Sequence, residues 1–331
     1  MSSTLAKKTA SPEKRAAGRV PANKHAAWTL RHAGRLQILE ATALARLDWL
    51  VHGFSTRFGG VSELAASIPA KTQGSGKSPE QVLNLGFTDW DSRECVRENR
   101  KSFFRALGSG EMRCVTLRQI HSDVVHRVSS SPAEAQNTSQ GDALFTREHG
   151  VLLAVQTADC VPILLADTKR RAIAAVHAGW RGTLGRIAEK TLGRMQMEFG
   201  TRPEDVIAAL GPGIGRCCYE VGPEVAVEFH AQFTKARDWF DGPFDALASD
   251  ENDPNWLPWL TMMPPGHQPP PLRVHLDLIA ANRAILAGAG VPQAQILSSG
   301  FCTACRTELF FSYRRERTTG RMMAAIGIRN D

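Results

Sequence analysis

Residues 151–166 constrain the fold more than any other part of the sequence. They hold two apolar runs, V-L-L-A-V and V-P-I-L-L, which have the length of strands and the continuous apolar character of strands buried on both faces. Residues 172–176 are predicted to form a further strand, which leads directly to His177. The polar insert T-A-D-C lies between the two runs and ends at Cys160. Because polar groups among buried strands are costly, this insert requires a functional reason.

Segments with helical spacing alternate with these strands. Residues 91–107 place Val96 and Phe103 at helical intervals, and residues 183–199 carry a second such pattern, with Thr183 as its predicted N-cap and Gly200 as its stop. Alternation of strands and helices, without an internal repeat or a clear linker, predicts a single α/β domain. The other predicted elements are a strand over 206–210, a helix beginning at Pro223, a helix over 276–289 and closing strands over 309–313 and 322–328.

The positive charge of the chain is concentrated at its N-terminus. The formal net charge is +7, and residues 1–25 hold six Lys or Arg against one Glu, which accounts for +5 and leaves +2 for the rest. This segment has no interleaved aromatic residues that could stack on bases, so we predict a disordered basic tail over 1–27 and no nucleic-acid partner. Residues 28–331 form the predicted globular domain, with loop insertions near 66–80 and 241–271.

The cysteines and the apolar runs indicate the compartment. Seven cysteines, an odd number spread unevenly over 331 residues, suit a reducing cytosol better than a disulfide framework. The tail lacks the apolar segment of a secretory signal, and no apolar run reaches the roughly 18 residues of a membrane span. We therefore expect a cytoplasmic protein with no membrane partner.

Three short motifs bring two imidazoles and one thiol to predicted strand ends. Q-I-H ends at His121, T-A-D-C ends at Cys160, and H-A-G-W-R-G-T begins at His177. Side chains at the ends of buried strands can converge at one rim of a sheet, as catalytic groups commonly do. Two His and one Cys suit a tetrahedral zinc with one position left open, which is the ligand count of a catalytic rather than a structural site.

Eight strings, in this order, resemble the YfiH family. They are S-T-R-F-G-G-V-S, N-L-G-F, Q-I-H, G-D-A-L-F-T, T-A-D-C-V-P-I-L-L, A-A-V-H-A-G-W-R-G-T, G-P-G-I-G-R-C-C-Y-E-V-G and F-F-S-Y-R-R, and they span roughly residues 50–330. Members of the family are labelled laccase-domain proteins or polyphenol oxidases, and also purine nucleoside phosphorylases. The resemblance implies a catalytic α/β domain with mixed sheets flanked by helices, and a zinc-binding pocket formed by His121, Cys160 and His177.

The resemblance also implies reactions and substrates. The family's activities are phosphorolysis of adenosine, inosine, guanosine and methylthioadenosine, and deamination of adenosine. Deamination suits a zinc-activated water, whereas phosphorolysis needs cationic groups that hold phosphate near the anomeric carbon of the sugar. For phosphate we predict Arg57 of the S-T-R motif, which the resemblance favours and which joins the three ligands as a catalytic residue, and Arg181 at a predicted helix start. Asp159 is predicted to orient a ligand or act as a general base, and Asn84 either lines the pocket or satisfies loop backbone.

Two other chemistries could use the same residues. A multicopper polyphenol oxidase needs paired and clustered imidazoles, whereas the chain has ten His and no H-x-H pair, so we favour zinc over copper. A metal-free cysteine hydrolase would use Cys160 as its nucleophile, with His177 or His121 as the base.

The remaining cysteines include two close pairs. Cys302 and Cys305 have the spacing of a zinc knuckle, but the sequence holds no second pair of that spacing. Cys217 and Cys218 are adjacent and are predicted to be structural. The sequence therefore does not predict a second metal site.

Overall fold

The structure is a computed structural model that describes residues 27–64, 80–129, 139–242 and 273–330. The predicted basic tail, apart from its last residue, and nearly all of the predicted insertions near 66–80 and 241–271 lie outside these ranges. Within the ranges, no helix has the length and apolar character that a bilayer crossing requires.

Strands make up most of the regular structure in the described ranges. They are β1 (Trp28–Ala33), β2 (Leu36–Ala41), β3 (Leu50–Ser55), β4 (Phe58–Leu64), β5 (Glu80–Val82), β6 (Arg113–Val115), β7 (Val125–Arg127), β8 (Ala143–Thr146), β9 (Val151–Thr157), β10 (Val161–Asp167), β11 (Ala172–Ala178), β12 (Val206–Leu210), β13 (Glu220–Val221), β14 (Phe240–Asp241), β15 (Val274–Leu276), β16 (Ile296–Ser298) and β17 (Met322–Ile328).

Helices connect these strands. The α-helices of the described residues are α1 (Thr42–Ala45), α2 (Arg93–Leu107), α3 (Trp180–Leu184), α4 (Ile187–Phe199), α5 (Pro223–Gln232), α6 (Leu278–Gly288) and α7 (Tyr313–Glu316). Short 3-10 helices lie at Pro203–Asp205, Ala236–Trp239 and Gln293–Gln295. Helix α2 begins where the Ser92 hydroxyl accepts a hydrogen bond from the N–H of Cys95, and it ends at Gly108, which is left-handed with φ of 73°.

Two six-stranded mixed sheets dominate the fold. The first has the order β1-β2-β3-β17-β9-β6, and the second has the order β16-β12-β10-β11-β8-β7. The parallel neighbours are β6 with β9, β7 with β8, and β12 with β16. Strands β13, β15 and β14 form a small sheet, and β4 pairs with β5. The predicted α/β fold with mixed sheets flanked by helices is confirmed.

The two large sheets share one core, and helices cover their outer faces. Along β10, Leu164 faces the core between the sheets, whereas Ile163 faces the core that α4, α5 and α6 cover. Along β9, Leu153 faces the shared core, and Leu152 faces the core under α2. Because both faces of these strands are buried, their sequences are apolar throughout instead of alternating with polar residues.

Two predicted local features differ from the structure. Thr183 does not cap a helix but lies inside α3, because the chain breaks before α4 at Arg186, whose φ is 58°. Gly200 ends α4, as predicted, and it adopts the left-handed conformation. The strand predicted over residues 309–313 is wrong, since residues 309–312 form a loop and Tyr313 begins α7. Its apolar pattern reflects burial of side chains such as Phe311 rather than strand pairing.

Candidate functional site

The antiparallel pair β10 and β11 places two of the predicted ligands side by side. Cys160 directly precedes β10, and His177 lies in β11 opposite Pro162. Both residues therefore lie at the same end of the pair. His177 is buried and Cys160 is half-buried. The polar T-A-D-C insert is thus the turn from β9 to β10, and it brings a thiol to the imidazole of the next strand.

The buried carboxylate of Asp142 holds the third predicted ligand in place. Asp142 immediately precedes β8, the neighbour of β11. Its Oδ1 lies 2.8 Å from Nδ1 of His177 and accepts the N–H of His121 at 3.1 Å. Its Oδ2 accepts the N–H and the hydroxyl of Ser122 at 2.6 and 2.7 Å. Because an ionised carboxylate only accepts, Nδ1 of His177 carries the proton and Nε2 is left to bind a ligand.

The three predicted ligands converge on one point. Nitrogen and sulfur atoms of His121, Cys160 and His177 all lie within 4.8 Å of one another. The two imidazoles meet edge to face with ring centroids 5.0 Å apart. Gly179 makes this convergence possible, because a Cβ atom there would lie 3.0 Å from Sγ of Cys160 and 3.3 Å from Cδ2 of His121. An alanine there would force Cys160 or His121 to shift by a few tenths of an ångström, so the glycine of H-A-G-W lets the ligands approach this closely.

Mutual contacts set the charges in this cluster. Burial would raise the pKa of the Cys160 thiol, but the positive charge of His177 and hydrogen bonds from both imidazoles outweigh burial and lower the pKa to about 6. Burial would lower the pKa of His177, but the Cys160 thiolate and the Asp142 carboxylate raise it to about 9. For Asp142, hydrogen bonds from His177 and Ser122 outweigh burial and lower the pKa to about 2. Without a metal the site thus favours a Cys160 thiolate beside a protonated His177, and a metal that binds here displaces the proton from Nε2 of His177.

The cluster fits a metal ion with an open coordination position. It offers one sulfur and two nitrogen atoms, and three protein ligands leave a fourth position for water or substrate. The contact between Asp142 and His177 matches the carboxylate and histidine pairs that fix ring orientation in metal sites. The structure therefore brings the three residues predicted from the sequence together as a candidate metal-binding site.

A cavity of about 790 Å³ adjoins the candidate metal site. His121, Cys160 and His177 line it, together with the predicted residues Asp159 and Arg181. Its walls also carry the aromatic side chains of Trp180, Tyr219 and Tyr313 and the cationic side chains of Arg314, Arg317 and Arg321. Small-molecule sites occupy roughly 300–1,000 Å³, so the cavity has the size of a ligand site.

Four arginines make the cavity electropositive. They are Arg181, Arg314, Arg317 and Arg321. Within the described ranges, none of them forms a salt bridge with a carboxylate. The guanidinium of Arg181 lies 4.3 Å from the ring centroid of Trp180, and this contact limits the conformational freedom of the Arg181 side chain. The four arginines outnumber the anionic groups of the cavity, which are the Asp159 carboxylate and the Cys160 thiolate, and this excess of positive charge favours binding of an anion.

Asp159 lines the cavity, but loop contacts occupy its carboxylate. Oδ1 accepts the hydroxyl of Thr303 and Oδ2 accepts the N–H of Arg314, each at 2.7 Å. Its carbonyl oxygen accepts the N–H of Ile214 at 2.7 Å, and its φ is 95°. These contacts favour a role in positioning the cavity wall over a role in proton transfer.

Arg57 and Asn84 are not among the residues that line the cavity. Arg57 is buried, and its Nη1 donates to the Glu316 carboxylate at 2.7 Å, so its charge is neutralised within the protein. Asn84 is also buried, and its Oδ1 accepts the N–H of Arg321 at 2.9 Å. The structure therefore does not bring these two predicted residues to the candidate metal site. Arg57 and Asn84 instead contact residues 312–321, the segment that carries three of the cavity arginines.

Four site residues were not identified from the sequence. They are Asp142, Arg314, Arg317 and Arg321. Asp142 belongs to the string G-D-A-L-F-T, where a charged residue directly before a buried strand was the available signal. Arg314 lies within the string F-F-S-Y-R-R, and Arg317 and Arg321 follow it, so the dense positive charge of this segment was the signal there. Neither string indicates by itself which distant segment it will contact.

Comparison with known proteins finds relatives over nearly the whole described domain. The family model described as multi-copper polyphenol oxidoreductase laccase matches residues 51–329. The chain is 40% identical over 296 residues to a purine nucleoside phosphorylase of Deinococcus radiodurans, covering 88% of this chain and 93% of that protein. It is 38% identical over 261 residues to an adenosine deaminase from an unknown prokaryotic organism, covering 77% and 90% of the two chains.

A solved structure shares the fold. The crystal structure of the Bacillus licheniformis hypothetical protein YfiH aligns with a TM-score of 0.69 and 29% sequence identity. The alignment covers 90% of this chain and 97% of that chain. The similarity thus extends to the arrangement of the sheets that position the candidate site.

Proposed function

Because the chain belongs to the YfiH family, we propose that it is a zinc-dependent purine nucleoside phosphorylase that also deaminates adenosine. The observation that carries this proposal is the convergence of His121, Cys160 and His177 at the wall of an arginine-rich cavity. The proposed substrates are adenosine, inosine, guanosine and methylthioadenosine, each with inorganic phosphate.

The shape and chemistry of the cavity support binding of a nucleoside. Trp180, Tyr219 and Tyr313 supply aromatic surfaces on which a purine can stack. At about 790 Å³ the cavity lies in the upper part of the usual range for ligand sites, which leaves room for phosphate beside the nucleoside. A cavity with both aromatic and cationic walls suits a ligand pair of one aromatic base and one anion.

Phosphorolysis requires a bound phosphate, which the cavity arginines can hold. The bond between the anomeric carbon and the purine nitrogen breaks, a phosphate oxygen bonds to that carbon, and the purine leaves with the electron pair and gains a proton. Positive charge develops on the sugar, so a phosphate held close to it stabilises the transition state. Arg181, Arg314 and Arg317 would hold that phosphate through charge-assisted hydrogen bonds.

His121, Cys160 and His177 would hold the zinc ion. When bound, zinc supplies Lewis acidity and a water of lowered pKa. The Asp142 carboxylate keeps the protonated Nδ1 of His177 turned away from the cluster and anchors the loop of His121. Burial of His177 and Asp142 shields this contact from bulk water, which preserves its strength.

Zinc fits the described ligands better than multicopper chemistry does. Among the described residues, two groups of potential ligands converge, and together they contain two imidazoles. A blue-copper centre with a trinuclear cluster needs many more. We therefore propose zinc, although the family description contains the word laccase.

A metal-free cysteine hydrolase is the second candidate. Cys160, His177 and Asp142 provide the thiolate, imidazole and carboxylate of an activated nucleophile with its base and orienting group. This alternative predicts full activity after zinc removal and a covalent intermediate on the thiol. It needs no anion site, so the four cavity arginines favour the phosphorylase.

Chromatography of the products from adenosine, with and without phosphate, tests the proposed function. Wild type, Cys160→Ala and the control Cys95→Ala, whose cysteine lies in α2 and does not line the cavity, are compared. We expect adenine and ribose 1-phosphate only with phosphate, lost in Cys160→Ala and retained in Cys95→Ala. Inosine as a product reports deamination. Activity that survives complete zinc removal contradicts zinc dependence, and the absence of product from all proposed nucleosides contradicts the function.

A further inference from the structure

Four cysteines outside the candidate active site bring their sulfur atoms together. These residues, which we call the tetrathiol cluster, are Cys217, Cys218, Cys302 and Cys305. All four sulfur atoms lie within 4.8 Å of one another, and all four residues are free thiols. The C-T-A-C pair therefore has a partner pair after all. That partner is the adjacent C-C pair, which has a spacing unlike that of a zinc knuckle.

Parallel pairing of β12 with β16 explains why distant cysteines meet. Leu210 pairs with Ser298 near the ends of these strands, so the segments that follow emerge at the same edge of the sheet. Gly213 forms a bridge with Cys302, and its carbonyl oxygen accepts the N–H of Thr303 at 3.0 Å. The fold therefore fixes the two cysteine-bearing turns against each other.

The separations of the sulfur atoms match one tetrahedral ion rather than disulfides. Sγ of Cys305 lies 3.4 Å from Sγ of both Cys217 and Cys218. Four sulfur atoms at about 2.3 Å from a zinc ion lie about 3.8 Å apart, which is within the range that the cluster spans. A disulfide requires about 2.05 Å between two sulfur atoms and would leave a third thiol in contact but unbonded.

Groups around the cluster support negatively charged sulfur. The N–H of Gly215 donates to Sγ of Cys302 at 3.2 Å, and Nη2 of Arg315 donates to Sγ of Cys218 at 3.4 Å. Four thiolates around a divalent cation carry a net charge of about −2, which a guanidinium partly offsets. Gly215 also permits the close packing, because a Cβ atom there would lie 3.1 Å from Cβ of Cys302.

We propose that the tetrathiol cluster is a structural zinc site, distinct from the candidate active site. Binding of Zn²⁺ converts the four thiols to thiolates and releases their protons to solvent. Four protein sulfur ligands fill the tetrahedral coordination of zinc, so no position is left for substrate or water. The ion cross-links two turns that are more than 80 residues apart in sequence.

The zinc site supports one wall of the cavity. Cys218 precedes Tyr219, and Arg315 follows Arg314, and both of these neighbours line the cavity. Thr303, between the two cysteines of C-T-A-C, donates to Asp159 at 2.7 Å. Ordering of the turns by zinc therefore positions cavity residues without contact between the ion and substrate. This inference holds whichever reaction the cavity catalyses.

Metal content of the purified full chain tests the proposal. We expect Cys302→Ser/Cys305→Ser to hold one zinc per chain fewer than wild type, and Cys95→Ser, whose cysteine lies in α2, to hold the wild-type amount. Cys160→Ala separates the two sites, since it should lose the active-site zinc and keep the other. A Cys160→Ala chain without zinc overturns the proposal, as does iron in place of zinc.

A spectroscopic measurement keeps the test independent of whether the double variant folds. Cys160→Ala is stripped of metal under reducing conditions and titrated with Co²⁺. We expect one equivalent to bind with a thiolate-to-cobalt charge-transfer band about four times as strong as a single thiolate gives. Zn²⁺ should abolish the band, and the four thiols should become unreactive towards a disulfide reagent. A band of single-thiolate strength, no band, or disulfides among these cysteines in protein purified without oxidant overturns the proposal.

Discussion

Asp142→Asn is the most informative change in the candidate active site, because it replaces one oxygen by a nitrogen and preserves the size of the side chain. The carboxylate contacts His177 and His121 through Oδ1 and Ser122 through Oδ2. An amide accepts hydrogen bonds at its single oxygen only. Whichever way the amide turns, at least two donors lose their acceptor.

The contacts give the size of the effect. If nitrogen takes the Oδ1 position, the donors on His177 and His121 are unpaired. If it takes the Oδ2 position, the N–H groups of Ile120 and Ser122 are unpaired, whereas the Ser122 hydroxyl can rotate and accept from the amide. Each unpaired buried donor costs about 1–3 kcal/mol, so with two such donors we expect the free energy of unfolding to fall by about 2–6 kcal/mol. Loss of the group that orients His177 typically weakens metal binding about 10–100-fold.

Zinc affinity and unfolding are measured for Asp142→Asn beside a matched control. Zinc affinity is determined by competition with a chromophoric chelator, and unfolding free energy by urea denaturation. Asp123→Asn is the control, since the Asp123 carboxylate is partly exposed and pairs with Lys190 on the surface. It should change stability by less than about 1 kcal/mol and leave zinc affinity unchanged. Wild-type zinc affinity in Asp142→Asn would refute the positioning role of this carboxylate.

Three further changes test the site and the fold. Gly179→Ala places a methyl group 3.0 Å from Sγ of Cys160. Metal affinity, measured by metal titration, and turnover should each fall at least tenfold. Gly193→Ala, whose added Cβ meets open space, should keep both. Arg181→Ala removes a cavity cation, so the KM for phosphate should rise about 10–100-fold while zinc content stays constant, and an unchanged KM would remove Arg181 from the phosphate site. Burial lowers the pKa of His52 from 6.5 to about 4. Between these pH values the unfolded chain binds a proton that the folded chain does not bind. Up to about 3 kcal/mol of the unfolding free energy present at pH 7 should therefore be lost as the pH falls from 6.5 to 4. Urea denaturation at several pH values checks this last expectation, and a pH dependence in His52→Gln equal to that of wild type would contradict it.

Continuous apolar runs were sufficient to predict the central strands. Residues 151–155 and 161–165 are apolar throughout because both faces of β9 and β10 are buried, and that pattern belongs to the local sequence. The run over 161–165 and the predicted strand over 172–176 located Cys160 and His177 at strand ends. Residues 309–313 show the limit of this reasoning, because burial of a loop side chain such as Phe311 produces an apolar pattern without a strand.

Contacts between distant segments were beyond the reach of local patterns. Asp142 became a site residue because β8 pairs with β11, and the C-C and C-T-A-C pairs meet because β12 pairs with β16. Arg57 was predicted to be a site residue, but a contact with a distant segment removes it from the site. Its side chain is cationic, as a phosphate ligand requires, but Glu316 neutralises it from a segment more than 250 residues away. The arrangement of distant segments in the fold, which single-sequence patterns do not specify, decides these partners.

Phosphorus NMR of wild-type protein with inosine and inorganic phosphate tests the central claim most directly, because inosine lacks the amino group that deamination removes. The account predicts a sugar 1-phosphate resonance that grows as inorganic phosphate declines, in equal amount to the hypoxanthine formed, and its absence in Cys160→Ala. Hypoxanthine released with free ribose and unchanged phosphate would contradict phosphorolysis. Equal activity in Cys160→Ala would contradict the role of the His121, Cys160 and His177 cluster.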